Sequence, residues 1–420
     1  MDGRPRNRPG KKPFYYGWVM LVVAILGVFA CYPGQTVGIS VFNPYLRESL
    51  NLSLTELSGA YMLATFIAGG ASLIVGDAAD RWGLRGTITF LVVLMSGACL
   101  FMSKVTGLIS VFFAFLMLRV LGHGAVPLLV DNTLAMWFHD RLGRVMGIKN
   151  MATAAAVAVV PGTNLWLIHS YGWRKAYIIW GVAVSAIMLP LMLFVFRNRP
   201  EEIGQALEGE NDADVDDVTS GTENYQTPVV EFTLRTAIRT RAYWIVLALH
   251  FAMGMIWAGT SFNIVPLLGS HGLTEGQAAT TLSVFAVMMA VTLPIAGSLA
   301  DRTPLNRILS VGCASVAIAL TILIASQSFW IVQGYAVLFG IGNGLNIVAA
   351  STLWPRYYGR LHLGKIKGGA QAAMVVGSSL GPFLIGASQD HLGSFDYLLY
   401  VFIGANVLLT IATVFATPPR

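Results

Sequence analysis

Charged side chains are scarce in this sequence. They make up 11% of its 420 residues, where a soluble domain carries about 25%. So little charge beside 55% hydrophobic residues excludes an ordinary water-soluble globule and makes the bilayer the expected solvent. Cysteine is scarce too: Cys31, Cys99 and Cys313 all sit in apolar runs, without the spacing of a zinc site or a disulfide framework. A Walker A loop is missing, which excludes ATP-driven work by this chain, and no catalytic or metal-ligand constellation occurs. Neither an enzyme nor a cofactor or metal site is therefore expected. The net charge of +6 lies in short stretches between apolar runs, so nucleic acid is not an expected partner.

What the chain does have is long apolar runs. Twelve candidate spans lie at about 17–44, 55–78, 86–104, 107–137, 145–168, 174–196, 242–268, 276–300, 307–326, 329–355, 367–389 and 395–416. Each is long enough to cross the hydrocarbon as a helix. The basic residues before Trp18 resemble the start of a signal peptide, but the following run is too long and lacks a clear cleavage site, so it is expected to remain as the first span. Between spans six and seven the composition changes. Residues 200–232 are rich in Glu and Asp and poor in apolar side chains, as in a solvated linker. The expected order is a tail (1–16), a six-helix bundle (17–196), a linker (197–241), a second bundle (242–416) and a short C-terminus (417–420). With the N-terminus inside, Arg47, Lys104, Arg174 and Lys175 fall outside, Arg119 falls within a span, and the other basic residues fall on the cytoplasmic side. That bias places both termini in the cytoplasm. Short loops without large ectodomains suit a bacterial inner membrane.

The sequence repeats itself at half-chain spacing. Gly76-Asp77-Ala78-Ala79-Asp80-Arg81-Trp82-Gly83-Leu84-Arg85 links spans two and three, and Gly297-Ser298-Leu299-Ala300-Asp301-Arg302 ends span eight. Arg119-x-x-Gly122-x-Gly124 lies in span four; Val160-Pro161-Gly162 and Gly377-Ser378-Ser379-Leu380-Gly381-Pro382 lie in spans five and eleven. On these motifs the chain resembles the major facilitator superfamily over nearly its whole length. The resemblance implies an all-α fold of twelve transmembrane helices in two pseudo-symmetric six-helix bundles, working by alternating access. It also implies a gating role for Gly76, Asp80, Arg81, Gly83 and Arg85, with Asp301 and Arg302 as a weaker second copy in which Thr303-Pro304 replaces the glycine position. Val160-Pro161-Gly162 and the Gly377–Pro382 run resemble the family's glycine-proline breaks.

Three loop segments resemble the monocarboxylate and oxalate/formate transporter branch: Gly172-Trp173-Arg174, the run from Arg197 to Gly204, and the run from Tyr358 to Gly368. The anchors of that branch are absent. Span eight has no charge before Asp301, Pro33-Gly34-Gln35 stands where a first-helix cation is expected, and span eleven offers Gln371. The candidate anion partner is therefore Arg119, with His123 four residues on, since an ionisable group within a span is a functional candidate by default. His123, His250 and Asp131 are candidate proton carriers; Asp131 has the alternative of pairing with Arg141 or Arg144 and fixing a helix end. His250, Gly254, Trp257 and Ser261 follow helical spacing, and Gln35, Asn343, Asn346 and Gln371 complete a candidate polar lining, each with the alternative of joining helices. The expected function is proton-coupled secondary transport of a small organic acid by a monomer in the lipid bilayer. A proton-driven exporter of larger amphipathic or cationic compounds and a non-transporting sensor are the alternatives.

Overall fold

A backbone amide in hydrocarbon has no partner but its own chain, so apolar runs of this length fold as helices. A computed structural model of the chain describes residues 14–138, 141–205, 232–325, 328–359 and 363–419, with helices and no strand among them. Twelve spans run back and forth: α1 (Gly17–Ala30), α2 (Leu54–Trp82), α3 (Leu84–Met102), α4 (Leu108–Arg119 continued through Val126–Trp137), α5 (Leu142–Tyr171), α6 (Trp173–Pro190), α7 (Arg241–Phe262), α8 (Glu275–Arg302), α9 (Leu305–Ala325), α10 (Phe329–Tyr358), α11 (Leu363–Leu392) and α12 (Asp396–Val414). After α1 the chain crosses on through Thr36–Ser40 and Asn43–Leu50. Ten of these helices are long and apolar enough to cross a membrane; α2 and the composite α4 complete the twelve. Both ends of the described chain lie at one face of the bundle, the terminal face; the other is the far face. Most of the acidic linker, residues 206–231, lies outside the described residues.

The two halves repeat their local chemistry. On the far face, α2 begins at Ser53, whose Oγ accepts from the Glu56 N–H (3.1 Å) while the Glu56 carboxylate accepts from the Ser53 N–H (2.9 Å). Its counterpart α8 begins at Thr274 with the same reciprocal pair to Gln277 (3.3 and 2.9 Å). Each box satisfies two of the amides that a helix start leaves unpaired. The link between α2 and α3 is shorter than expected. Helix continues through Gly76 to Trp82, and the reversal rests on Gly83 alone, at φ +76°, where a side chain would be strained. Arg85 donates through its guanidinium to the Met192 (3.0 Å) and Leu193 carbonyls at the end of α6, within its own half. Asp301 is paired within its own half, to Arg356 at 2.7 Å, and exposed Arg302 ends α8. The side chains of Gly76, Asp80 and Arg81 lie outside the described set.

The loop motifs have structural duties. Gly172, at φ +80°, turns α5 into α6, and Arg174 donates to the Ser103 and Val105 carbonyls (2.9 Å each) beyond the end of α3. Asn198, held by Glu202 at 2.8 Å, accepts from the Arg85 N–H at 2.8 Å, so the Arg197–Gly204 run ties α6 to α3. Arg360 to His362 lie outside the described residues. Pro161 and Pro382 do not break their helices, since α5 and α11 run through them.

Without a hydrophobic force between helices in lipid, close approach at small residues holds them together. The α7–α11 crossing is built this way. A Cβ at Gly377 would meet the Phe251 carbonyl, one at Gly381 the Met255 carbonyl, and one at Gly254 the Met374 carbonyl. The obstacles are backbone, which cannot rotate aside. Gly381→Ala is therefore expected to destabilise the purified protein by about 1–3 kcal/mol, the range for overpacking, read as a lowered midpoint of thermal unfolding in detergent. Gly404→Ala, where a Cβ meets nothing within 4 Å, should melt no lower than the parent. Equal midpoints for parent and Gly381→Ala would sink the close-crossing account.

Candidate functional site

A cavity of about 330 Å³ lies between the halves at mid-bundle and toward the terminal face. The N-terminal half contributes residues of α1, the segment after it, α4 and α5, among them Gln35, His123, Lys149 and Thr153. The C-terminal half contributes Met253 and Trp257 of α7, Met289 of α8, Asn343 and Ile347 of α10, and Met374 of α11. Sites of this kind form where two repeats meet near the bilayer midplane.

Arg119 lies elsewhere, and among the described residues the cation on the cavity wall is Lys149. Its Nζ donates to Asp131 Oδ1 at 2.8 Å, joining α5 to α4; the lysine is mostly covered and the aspartate half-exposed. Asp131 thus takes neither Arg141 nor Arg144 in this pair. The tally of basic residues places Lys149 on the cytoplasmic side although it falls five residues into the expected span 145–168. α5 starts at Leu142, so Lys149 sits about 10 Å inside the helix at 1.5 Å per residue. Its presence within the expected span 145–168 was the signal available.

Arg119 is 1% exposed and does not line the cavity. Its Nε donates to Thr65 Oγ1 (3.0 Å), its Nη1 to the Gly34 carbonyl (3.1 Å), and its guanidinium lies 5.0 Å from the Tyr61 ring centroid. It holds α4 to α1 and α2. His123, four residues on, was expected on the same face, but Val120–Ala125 is a π-helical turn, which shifts the helical phase and is a frequent feature of functional sites. The imidazole consequently faces the cavity, with Nδ1 3.3 Å from Gln35 Oε1. Gln35 donates through Nε2 to the Gly122 carbonyl at 2.7 Å, fixing its amide for that contact.

The other expected lining residues divide. Trp257 and Asn343 line the cavity. His250 does not: its Nδ1 lies 2.8 Å from the Val246 carbonyl and its ring 5.8 Å from that of Trp354. Asn346 is buried against α9, where a Cβ on Gly312 would collide with its amide. Gln371 is exposed and away from the cavity wall.

Beyond the cavity, the halves close on each other toward the far face. Asn43 donates to the Phe262 carbonyl (2.5 Å), and the rings of Tyr61 and Phe262 lie 4.2 Å apart. Ser283 on α8 donates to the Ala158 carbonyl on α5 (2.5 Å). The Asp390 carboxylate of α11 accepts from the Thr55 N–H at the start of α2 (2.6 Å), where the helix dipole favours an anion. Tyr45 donates to Glu275, and His169 lies 3.4 Å from the same carboxylate.

The family model described as Major Facilitator Superfamily matches residues 18–319 and 246–420. The chain is 23% identical to monocarboxylate transporter 11 of Homo sapiens, covering 96% of this chain and 83% of that protein. It is 23% identical to the phosphoglycerate transporter protein of Salmonella typhimurium, covering 90% and 85%. A solved bacterial homologue of the human lysosomal transporter Spinster, in an inward-facing and occupied conformation, shares the fold at a TM-score of 0.70 and 16% identity, with 97% of each chain covered.

Removing neutral hydrogen bonds from the far-face seal should free the halves there. Each such bond contributes about 0.5–1.5 kcal/mol, so Asn43→Ala combined with Ser283→Ala should raise the population open at that face several-fold. Spin labels at the exposed positions Glu48 and His391 report it: a longer distance component is expected in the double variant. An unchanged distance distribution would mean these contacts do not hold the seal.

Proposed function

The chain belongs to the Major Facilitator Superfamily, and on that premise we propose that it is a proton-coupled secondary transporter of a small organic acid, with Lys149 as the partner of the substrate carboxylate. The observation that carries this reading is Lys149 on the wall of the cavity between the halves, paired behind it with Asp131. The relatives named above as monocarboxylate and phosphoglycerate transporters support an anionic substrate. With the N-terminus in the cytoplasm, as the basic residues favour, the cavity opens inward and the far-face seal is external. The protein then works as a monomer spanning the cell membrane many times, with both termini inside.

Charge balance links the proton to the acid. When Asp131 is ionised, Lys149 is already matched, and a substrate anion would bring an uncompensated charge into the membrane. When Asp131 is protonated, Lys149 is free to meet a carboxylate and the site is again neutral. One proton therefore accompanies one carboxylate. His123, on the same wall and 3.3 Å from Gln35, offers the substrate a neutral hydrogen-bonding group. Arg119 acts as the brace that keeps α4 against α1 and α2, and the Gly83 turn with Asp80, Arg81, Arg85, Asp301 and Arg302 governs the inner ends of the helices as the halves rock.

Uptake of labelled carboxylates into liposomes under an inward proton gradient tests this. Lys149→Ala should reduce uptake at least tenfold. Asp131→Asn should retain exchange of internal for external substrate while losing accumulation driven by the gradient. Full gradient-driven uptake by folded Lys149→Ala protein would refute the assignment.

A further inference from the structure

We propose that the two halves read different parts of the substrate, and that the transported acid is a monocarboxylate with an aromatic body lying against Trp257. This rests on the organic-acid reading above and concerns the same cavity. Its ionisable wall groups come from the N-terminal half: Lys149, backed by Asp131, and His123. The C-terminal wall is made of Met253, Trp257, Met289, Asn343, Ile347 and Met374. Its one amide, Asn343, spends one N–H on the Phe339 carbonyl at 2.8 Å and carries no charge.

That wall suits a ring. Trp257 is held by Phe285, with centroids 4.6 Å apart, and lies nearly parallel to Phe339 at 6.5 Å; Tyr335 stacks on Phe339 at 5.2 Å. The indole is held by rings of its own half and lines the cavity, and aromatic pairs favour offset stacking. The three methionines are flexible and polarizable, and their thioethers make favourable contacts with rings. Volume decides between small and large acids. A cavity of about 150 Å³ holds benzene, so about 330 Å³ accommodates a ring together with a short acid chain. A two- or three-carbon acid would leave most of that space to water against thioether and indole. A dicarboxylate or sugar phosphate would bring a second charge with no second wall cation to meet it among the described residues.

The test compares labelled 3-phenyllactate, lactate and succinate in proton-driven uptake by the full-length protein in liposomes. Burying a phenyl group should lower the apparent KM for phenyllactate about ten- to a hundred-fold below that for lactate, with succinate a poor substrate. Trp257→Ala should raise the phenyllactate KM at least five-fold more than it raises the lactate KM, a split that a folding defect does not produce; Trp257→Phe should keep most of the preference. Proton-driven uptake with equal KM values, a preference for succinate, or equal losses for both monocarboxylates in Trp257→Ala would overturn this inference and leave the transport reading standing. No proton-driven uptake of any acid would remove both.

Discussion

A charge or a polar backbone group placed in hydrocarbon must be matched by protein, because no water is there to do it. The organisation of this chain follows from that. Arg119 is tolerated at mid-bundle because a hydroxyl, a carbonyl and a ring surround its guanidinium. Lys149 is tolerated because Asp131 lies against it. The difference is in what each match leaves over. Arg119 is enclosed by neutral partners and committed to holding three helices together. Lys149 lines the cavity and is paired with a half-exposed carboxylate, so in the proposed cycle its match can be exchanged for another anion when Asp131 takes a proton.

The same constraint explains why the fold was legible in the sequence and much of the site was not. Apolar runs of twenty residues have one stable answer in a bilayer, and the repeated Asp-Arg motif marks the two halves, so the twelve-helix architecture follows with boundaries off by a few residues. Lys149 falls within the expected span 145–168 but close to its cytoplasmic end, so it groups with the loop cations and not with the cavity. The π turn at Val120–Ala125 carries no mark in the sequence, since an extra residue in one turn leaves an apolar run equally apolar. It turns an expected Arg119–His123 pair into one brace and one cavity residue. Asn343 and Asn346 illustrate the remaining difficulty. Both were candidates, yet one lines the cavity and the other packs against α9, and the composition of a helix that is apolar nearly all round does not say which face is which.

The loop motifs that tie the sequence to its relatives speak of scaffolding. Gly172 and Gly83 occur where the backbone needs positive φ, Arg174 satisfies carbonyls beyond the end of α3, and Asn198 closes the start of that helix. These duties depend on helix ends being brought together and not on what passes between the halves. A resemblance carried by such positions therefore fixes the fold and leaves the cargo open, which is why the cavity wall has to be read from its own residues.

The wall and the seal share a property that bears on how the halves can move. Separating two opposite unit charges that lie 4 Å apart costs about 4 kcal/mol at an effective dielectric of 20. On the cavity side the ion pair lies entirely within one half, while the opposing wall is thioether, indole and aliphatic. At the far face the principal links are hydrogen bonds to backbone groups: Asn43 to Phe262, Ser283 to Ala158, and Asp390 to the Thr55 amide. Among the described residues, parting the halves at the far face requires breaking these bonds and those of Tyr45 and His169 to Glu275, about 0.5–1.5 kcal/mol each where neutral and about 1.5–3 kcal/mol where a carboxylate accepts, and pulls no Lys–Asp pair apart. The free-energy difference between the two arrangements can thus stay within the few kcal/mol that a bound ligand is able to shift. Keeping the exchangeable charge on one half and the adaptable apolar surface on the other is the arrangement that permits both tight charge matching and reversible separation.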